Sequence, residues 1–147
     1  DGILPITDNR MTRFMISLEE GVELVWHAFD DMEGGEIYVK KIPSMKVTDV
    51  ALAVDENTKQ EEVGIRPGEK LHEQMIGIED ALYTYEYPEH FKILPSINDW
   101  AKDETRIGDG IRVPENFKYT SDNNKEWMKI SDLQDWIEVN KNKIGNI

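Results

Sequence analysis

The residues best suited to chemistry lie between Gly64 and Glu73, in the run Gly-Ile-Arg-Pro-Gly-Glu-Lys-Leu-His-Glu. Pro67 fixes its own φ angle and favours an extended conformation for Arg66, and Gly68 permits backbone conformations that other residues resist. A guanidinium held on such a corner suits bidentate capture of a phosphate or a carboxylate. Glu69 is placed either to accept hydrogen bonds from a hydroxylated ligand or to hold a neighbouring Arg. The pattern predicts an anion site, with an ordinary surface turn as the alternative.

The segments that flank this turn are predicted to be a strand and a helix. Glu61-Glu62-Val63 has the pattern of a short strand entering a turn, and residues 71–76 have that of an opening helix, whose free N–H groups would add to the field of Arg66. Arg13, in an extended segment that begins at Thr12, is a second candidate anion ligand. A solvated strand Arg explains the pattern at Arg13 equally well.

Charge and composition exclude several classes of function. The chain has 147 residues, a net charge of -13 and a pI near 4.6, so it lacks the basic footprint that nucleic acids and anionic membranes require. There is no Cys, and the three His residues form no zinc motif, so we predict no metal site. Without a signal peptide or a long apolar run, a soluble, cytoplasmic protein is expected, folded as one domain over residues 1–147.

Short elements must position the candidate residues. Ser17 and Glu20 form a capping box that opens a helix whose apolar residues recur up to Gly34-Gly35. Because of Pro5, the segment from Ile3 to Ile6 fits a short edge strand or an extended lining segment better than a central strand. The other predicted elements are a strand at 36–39, an extended segment at 43–47, a short helix capped by Thr48, a break at 77–80, a hairpin at 82–94, an irregular excursion at 95–124 and a final helix capped by Ser131. The fold class is therefore mixed α/β.

No complete catalytic motif is present. The chain contains no Gly-x-Gly-x-x-Gly or phosphate-binding Gly-rich loop, no nucleophile elbow and no His-Glu-x-x-His, and no Tyr is followed four residues later by Lys. The residues alone indicate a site for an anionic, hydroxylated ligand, built from Arg66, Glu69 and Arg13.

Several sequence blocks carry a family resemblance. They are Leu4-Pro5-Ile6-Thr7-Asp8, Arg10-Met11-Thr12-Arg13-Phe14, Gly34-Gly35-Glu36-Ile37, the run from Lys41 to Lys46, the run from Gly64 to Glu73, and Asn123-Asn124. In this order they resemble the carboxyl-terminal part of the UDP-N-acetylglucosamine 4,6-dehydratases. These are inverting, NADP-dependent members of the extended short-chain dehydrogenase/reductase family, which open the pathways to pseudaminic acid and related surface sugars. The resemblance implies that the amino-terminal Rossmann half, which binds NADP, is absent from this chain, and the opening Asp1-Gly2 fits a fragment.

The resemblance also implies roles for four residues. Arg66 and Glu69 match the Arg and Glu that contact the UDP-sugar, Thr7 resembles a position lining the nucleotide, and Arg13 looks, by a looser match, like an Arg aimed at the diphosphate. In the family, C4 is oxidised by NADP, water is lost across C5 and C6, and hydride returns to C6 with inversion at C5. The groups for these steps would lie in the absent half, so no catalytic, cofactor-binding or metal residue is assigned here.

Further expectations follow from the resemblance. The partner is UDP-N-acetylglucosamine or a related UDP-sugar, the full-length form is a homo-oligomer, and the isolated chain is inactive. The helix from Ser17 and the strand at Ile37 would dock against the nucleotide-binding half, so their apolar faces would be exposed or drive self-association without it. Two rival functions stay open: a related UDP-sugar epimerase, and a non-catalytic nucleotide-sugar-binding or assembly module.

Overall fold

The computed structural model describes residues 2–97 and 99–144, which divide into two compact units. The first unit comprises residues 2–15, 43–73 and 121–144, and the second comprises residues 16–42, 74–97 and 99–120. Each unit combines short strands with helices, so the predicted mixed α/β class is confirmed. All four candidate ligand-binding residues lie in the first unit.

The elements are short throughout. In chain order they are β1 (Ile3–Ile6), β2 (Thr12–Phe14), α1 (Leu18–Asp31), β3 (Ile37–Lys40), β4 (Ser44–Lys46), α2 (Val47–Val54), β5 (Lys59–Glu62), β6 (Gln74–Ile76), α3 (Ile78–Ala81), β7 (Thr84–Glu86), β8 (His90–Ile93), a 3-10 turn (Trp100–Lys102), α4 (Glu104–Ile107), β9 (Ile111–Arg112), β10 (Tyr119–Thr120) and α5 (Ile130–Ile144). No helix within the described ranges has both the length and the hydropathy needed to cross a bilayer.

Two small sheets build the first unit. Strand β1 pairs with β5 in parallel, with Ile3 opposite Lys59, and β2 pairs with β4 antiparallel, with Arg13 opposite Met45. Helix α2 packs against α5, β4 and β1. Ile6 and other buried residues of this unit form its apolar interior: Met11, Ala51 and Leu133. The edge-strand prediction for residues 3–6 is confirmed, because β1 has one strand neighbour.

The second unit contains a four-stranded antiparallel sheet with the order β3-β8-β7-β9. The predicted hairpin is confirmed as the pair β7 and β8. Tyr85 and Tyr87 pack with Leu94 in a buried cluster. A separate pair joins β6 to β10, with Ile76 opposite Tyr119.

Helix α1 begins at the predicted capping box. The Ser17 side chain accepts from the Glu20 amide at 3.1 Å, and the Glu20 carboxylate accepts from the Ser17 amide at 2.9 Å. No residue of the helix is buried. Its apolar residues are exposed instead, together with Met32 at its end: Leu18, Val22, Val25, Trp26 and Phe29. A helix with a regular apolar stripe that remains uncovered has a surface suited to a partner.

Four local predictions are wrong. The segment predicted to open a helix at 71–76 contains strand β6, because its backbone pairs with β10 much later in the chain. The segment predicted as a break at 77–80 contains helix α3. The predicted caps Thr48 and Ser131 lie inside helices that begin one residue earlier, at Val47 and Ile130. At the second of these helices the Asp132 carboxylate, rather than a Ser hydroxyl, accepts from the Lys129 amide at 2.8 Å.

A buried charge pair connects helix α4 to the turn before β3 in the second unit. Arg106 donates to the carboxylate of Glu36 and, at 3.1 Å, to the carbonyl of Gly34, and its guanidinium lies 4.0 Å from the ring centroid of Trp100. The Glu36 side chain is 2% exposed and also accepts from the amides of Glu33 and Gly34. Removing Arg106 would leave the Glu36 carboxylate buried without a cation.

We predict that Arg106→Met lowers the free energy of unfolding by about 3 kcal/mol, because it leaves the buried Glu36 carboxylate without a cation. Lys102→Ala, which removes an exposed ion pair with Asp99, is the control and should change stability by less than about 0.5 kcal/mol. Urea unfolding of the three proteins measures both effects. Equal stability of Arg106→Met and wild type would contradict this role.

Candidate functional site

The tight corner predicted at Arg66 is present. The Glu69 amide donates to the Arg66 carbonyl at 3.0 Å, and Gly68 has a φ of +82°. Pro67 in the second position and a Gly with positive φ in the third are the features of a type II β-turn. Arg66 is exposed, and its side chain has no ion-pair or hydrogen-bond partner within residues 2–97 and 99–144. This corner therefore presents a cation that is available to a ligand.

Arg13 lies on β2, next to the turn. Its Nη2 is 3.5 Å from Oε1 of Glu69, and its Nε is 4.0 Å from Oε1 of Glu73. Its Nη1 donates to the carbonyl oxygens of Thr12 at 2.7 Å and Leu71 at 3.3 Å. The structure thus brings Arg13 and Glu69 together. Of the two interpretations of Glu69 from sequence, contact with a neighbouring Arg is observed, and contact with a ligand hydroxyl stays a prediction.

Buried hydroxyl groups fasten β2 to the segment that follows the turn. Thr12 Oγ1 lies 2.7 Å from Nδ1 of His72 and 2.6 Å from Oγ of Ser121, and both hydroxyl residues are buried. Ser121 Oγ accepts from the Glu73 amide at 2.9 Å, and Glu73 Oε2 accepts from the Phe14 amide at 2.8 Å. Sequence reasoning missed Ser121 and Glu73, because these contacts join positions far apart and the polar run around Ser121 has no informative period.

Thr7 occupies a half-buried bend directly after β1. The next residue, Asp8, is buried, and its carboxylate accepts from the Arg10 amide at 2.8 Å, from Nε at 3.0 Å and from Nη2 at 2.7 Å. These hydrogen bonds from Arg10 lower the pKa of Asp8 to about 2. The Ile6 carbonyl accepts from the Val63 amide at 2.8 Å, so this bend adjoins the chain that leads into the turn.

The second unit has its own cluster of titratable groups beside α1. The ring of His90 stacks on Tyr87 and lies 4.7 Å, centroid to centroid, from His27. Burial and the neighbouring His27 lower the pKa of His90. Lys92, which is buried, donates to Asp31 at 2.8 Å. An open cavity of about 340 Å³ adjoins both imidazoles. The aromatic rings in this cluster contact one another, and the Lys92 ammonium lies over the rings of Tyr38 and Tyr87.

The fold and the candidate site define a class: a mixed α/β protein with an exposed Arg on a rigid turn, next to a carboxylate held by a second Arg. Such a site suits a ligand that carries both negative charge and hydroxyl groups. The chain belongs to the polysaccharide biosynthesis protein family, whose model matches residues 1–95.

Similar proteins agree with this family. The chain is 48% identical over 139 residues to proteins from two strains of Campylobacter jejuni named UDP-N-acetylglucosamine 4,6-dehydratase (inverting), a match that covers 91% of the chain. The chain spans 42% of the length of these relatives. A UDP-glucose 4-epimerase from Rickettsia canadensis is 33% identical over 94 residues, covering 61% of the chain and 28% of the epimerase. The resemblance drawn from the sequence blocks is therefore confirmed.

A solved structure shares the fold. The X-ray structure of Pen from Bacillus thuringiensis superposes with a TM-score of 0.78 at 27% sequence identity. The match covers 96% of this chain and 42% of the Pen chain.

The Asp8 carboxylate should make stability depend on pH in a defined window. Its pKa is 3.8 ordinarily and about 2 in the folded protein, so between these values the unfolded state binds more protons. The stabilisation by Asp8 is therefore complete above pH 3.8 and is lost as the pH falls toward 2. Asp8→Asn and Arg10→Met should both remove it, so their urea midpoints should approach that of the wild type across this window. A constant difference at every pH would contradict the assignment.

Proposed function

We propose that residues 1–147 are the carboxyl-terminal, substrate-binding part of an inverting UDP-N-acetylglucosamine 4,6-dehydratase, a lyase of surface-polysaccharide biosynthesis on the route to pseudaminic acid. The identity to the Campylobacter jejuni dehydratases supports this proposal. The single structural observation that carries it is the Arg66–Glu69 turn, in which the Glu69 carboxylate accepts from the Arg66 amide and the Arg66 guanidinium has no ion-pair partner among the described residues. The lower identity and shorter match to the Rickettsia enzyme make an epimerase the second candidate.

Four residues would form the UDP-sugar site. Arg66 pairs with the diphosphate, because a guanidinium suits bidentate contact with phosphate oxygens. Glu69 accepts hydrogen bonds from hydroxyl groups of the nucleotide-sugar. Thr7 lines the nucleotide from the bend after β1, and Arg13 completes the site beside Glu69.

The residues present do not fit NADP. Among the described strands the one parallel pair is β1 with β5, and no Gly-rich loop connects a strand to a helix as dinucleotide binding requires. NADP therefore belongs, in this proposal, to an amino-terminal Rossmann half outside these residues, and no catalytic step is assigned to this chain. The exposed apolar residues of α1 and the 58% exposure of Ile37 support a docking surface for that half.

The proposal extends to the setting of the complete enzyme, which would be a cytoplasmic homo-oligomer. The absence of Cys suits a reducing compartment, and the exposed stripe on α1 supplies apolar surface for association. The acidic net charge opposes a nucleic-acid or anionic-membrane partner.

We predict that Arg66→Met in the complete gene product raises KM for UDP-N-acetylglucosamine about tenfold or more, because one charge-assisted contact is worth about 1.5 to 3 kcal/mol. Arg112→Met, which removes an exposed cation in the second unit, is the control and should leave KM unchanged. Steady-state kinetics with product analysis measures both effects and separates a 4-keto-6-deoxy product from a C4 epimer. An unchanged KM for Arg66→Met would refute the assigned contact, and an epimer would support the second candidate.

The isolated 147-residue chain should neither oxidise nor dehydrate UDP-N-acetylglucosamine in the presence of NADP, because the proposed catalytic groups lie outside it. The measurement is product formation by the purified chain, and the complete gene product is the positive control. Robust turnover by the isolated chain would overturn the division of roles proposed here.

A further inference from the structure

We propose that Arg13 is a positioning residue, which holds the Glu69 carboxylate in place for the ligand hydroxyl groups and leaves the anionic group to Arg66. This inference rests on the proposed function. It assigns different roles to two guanidinium groups that, by sequence resemblance alone, would both contact the UDP-sugar. It departs from the expectation that Arg13 contacts the diphosphate.

The Arg13 guanidinium already has hydrogen-bond and ion-pair partners within the protein. Nη1 donates to two carbonyl oxygens, Nη2 lies 3.5 Å from the Glu69 carboxylate, and Nε lies 4.0 Å from that of Glu73. The side chain is 23% exposed. A phosphate at this group would compete with the protein acceptors that already lie within 4.0 Å of all three nitrogens.

Electrostatic repulsion also disfavours a phosphate at Arg13. Glu69 and Glu73 place two carboxylates within 4.0 Å of the Arg13 guanidinium, so a diphosphate at Arg13 would meet two like charges at close range. Arg66 is different, because its guanidinium pairs with no carboxylate in the described part of the chain. The anionic group of a ligand is therefore better placed at Arg66.

Each of the two oxygens of the Glu69 carboxylate has its own partner in the protein. Oε1 faces Nη2 of Arg13, and Oε2 accepts from the Arg66 amide at 3.2 Å. A long, flexible carboxylate side chain that is restrained at both oxygens has fewer orientations available, which favours recognition of a ligand hydroxyl group by its remaining lone pairs. Arg13 thus acts on the ligand through Glu69.

Hydrogen bonds on either side of Arg13 keep it in the position from which it does this. Thr12, the residue before it, bonds to Ser121 at 2.6 Å, and Phe14, the residue after it, donates its amide to Glu73 at 2.8 Å. Ser121 in turn accepts from the Glu73 amide. Because these bonds connect β2 to the segment after the turn, the separation of Arg13 and Glu69 is set by the fold.

A double-mutant cycle in the complete gene product tests the proposal, with UDP-N-acetylglucosamine as the substrate and inorganic pyrophosphate as a competing probe. Arg13→Met and Glu69→Gln should each raise KM about tenfold. The double variant should have the same KM as either single variant, because both substitutions remove the same interaction with the ligand. Arg66→Met combined with Glu69→Gln should give the product of the two single effects. Pyrophosphate inhibition should weaken about tenfold in Arg66→Met and stay unchanged in Arg13→Met.

Two controls separate positioning from folding. A smaller folded fraction lowers the apparent kcat and leaves KM unchanged, whereas loss of positioning raises KM. Arg13→Lys keeps the charge beside Glu69 without the planar fork, so it should recover part of the affinity, and it replaces Arg13→Met in the cycle if that variant does not fold.

The possible results are distinct. Multiplicative effects of Arg13→Met and Glu69→Gln, or pyrophosphate inhibition weakened equally by Arg13→Met and Arg66→Met, would overturn the positioning role. Wild-type protein that does not turn over UDP-N-acetylglucosamine would instead contradict the proposed function, whatever the variants do.

Discussion

The candidate site depends on one interaction, the hold on the Glu69 carboxylate between the Arg13 guanidinium and the Arg66 amide. It joins strand β2 to a turn that Pro67 and Gly68 already restrict, so an exposed loop acquires a defined geometry. The bonds of Thr12, Ser121 and Glu73 prevent the two segments from separating. Although the chain has a strong negative net charge, this turn presents the Arg66 cation on a backbone of defined geometry.

Features that depend on neighbouring residues could be predicted from the sequence. The capping box at Ser17, the hairpin of β7 and β8 and the tight corner at Arg66 follow from side-chain chemistry over a few residues, and the structure contains all three. The edge strand at 3–6 was marked by Pro5 for the same reason. Of the candidate site, local patterns indicated Arg66 and Glu69, and resemblance added Thr7 and strengthened Arg13.

Features that depend on distant partners could not be predicted. Strand β6 has a helix-like local pattern and becomes a strand because β10 satisfies its backbone hydrogen bonds. Ser121 has no local signal, since its value lies in bonds to Thr12 and Glu73. The apolar stripe of α1 was visible in the sequence, and its exposure agrees with the expectation drawn from the family resemblance.

We propose, above all, that the Arg66–Glu69 turn binds a sugar nucleotide. The most direct test is a crystal structure of the complete gene product with UDP-N-acetylglucosamine bound. We predict that the Arg66 guanidinium lies within about 3 Å of a diphosphate oxygen and that Glu69 accepts a hydrogen bond from a ligand hydroxyl group. A ligand bound elsewhere, with Arg66 in contact with solvent alone, would contradict it.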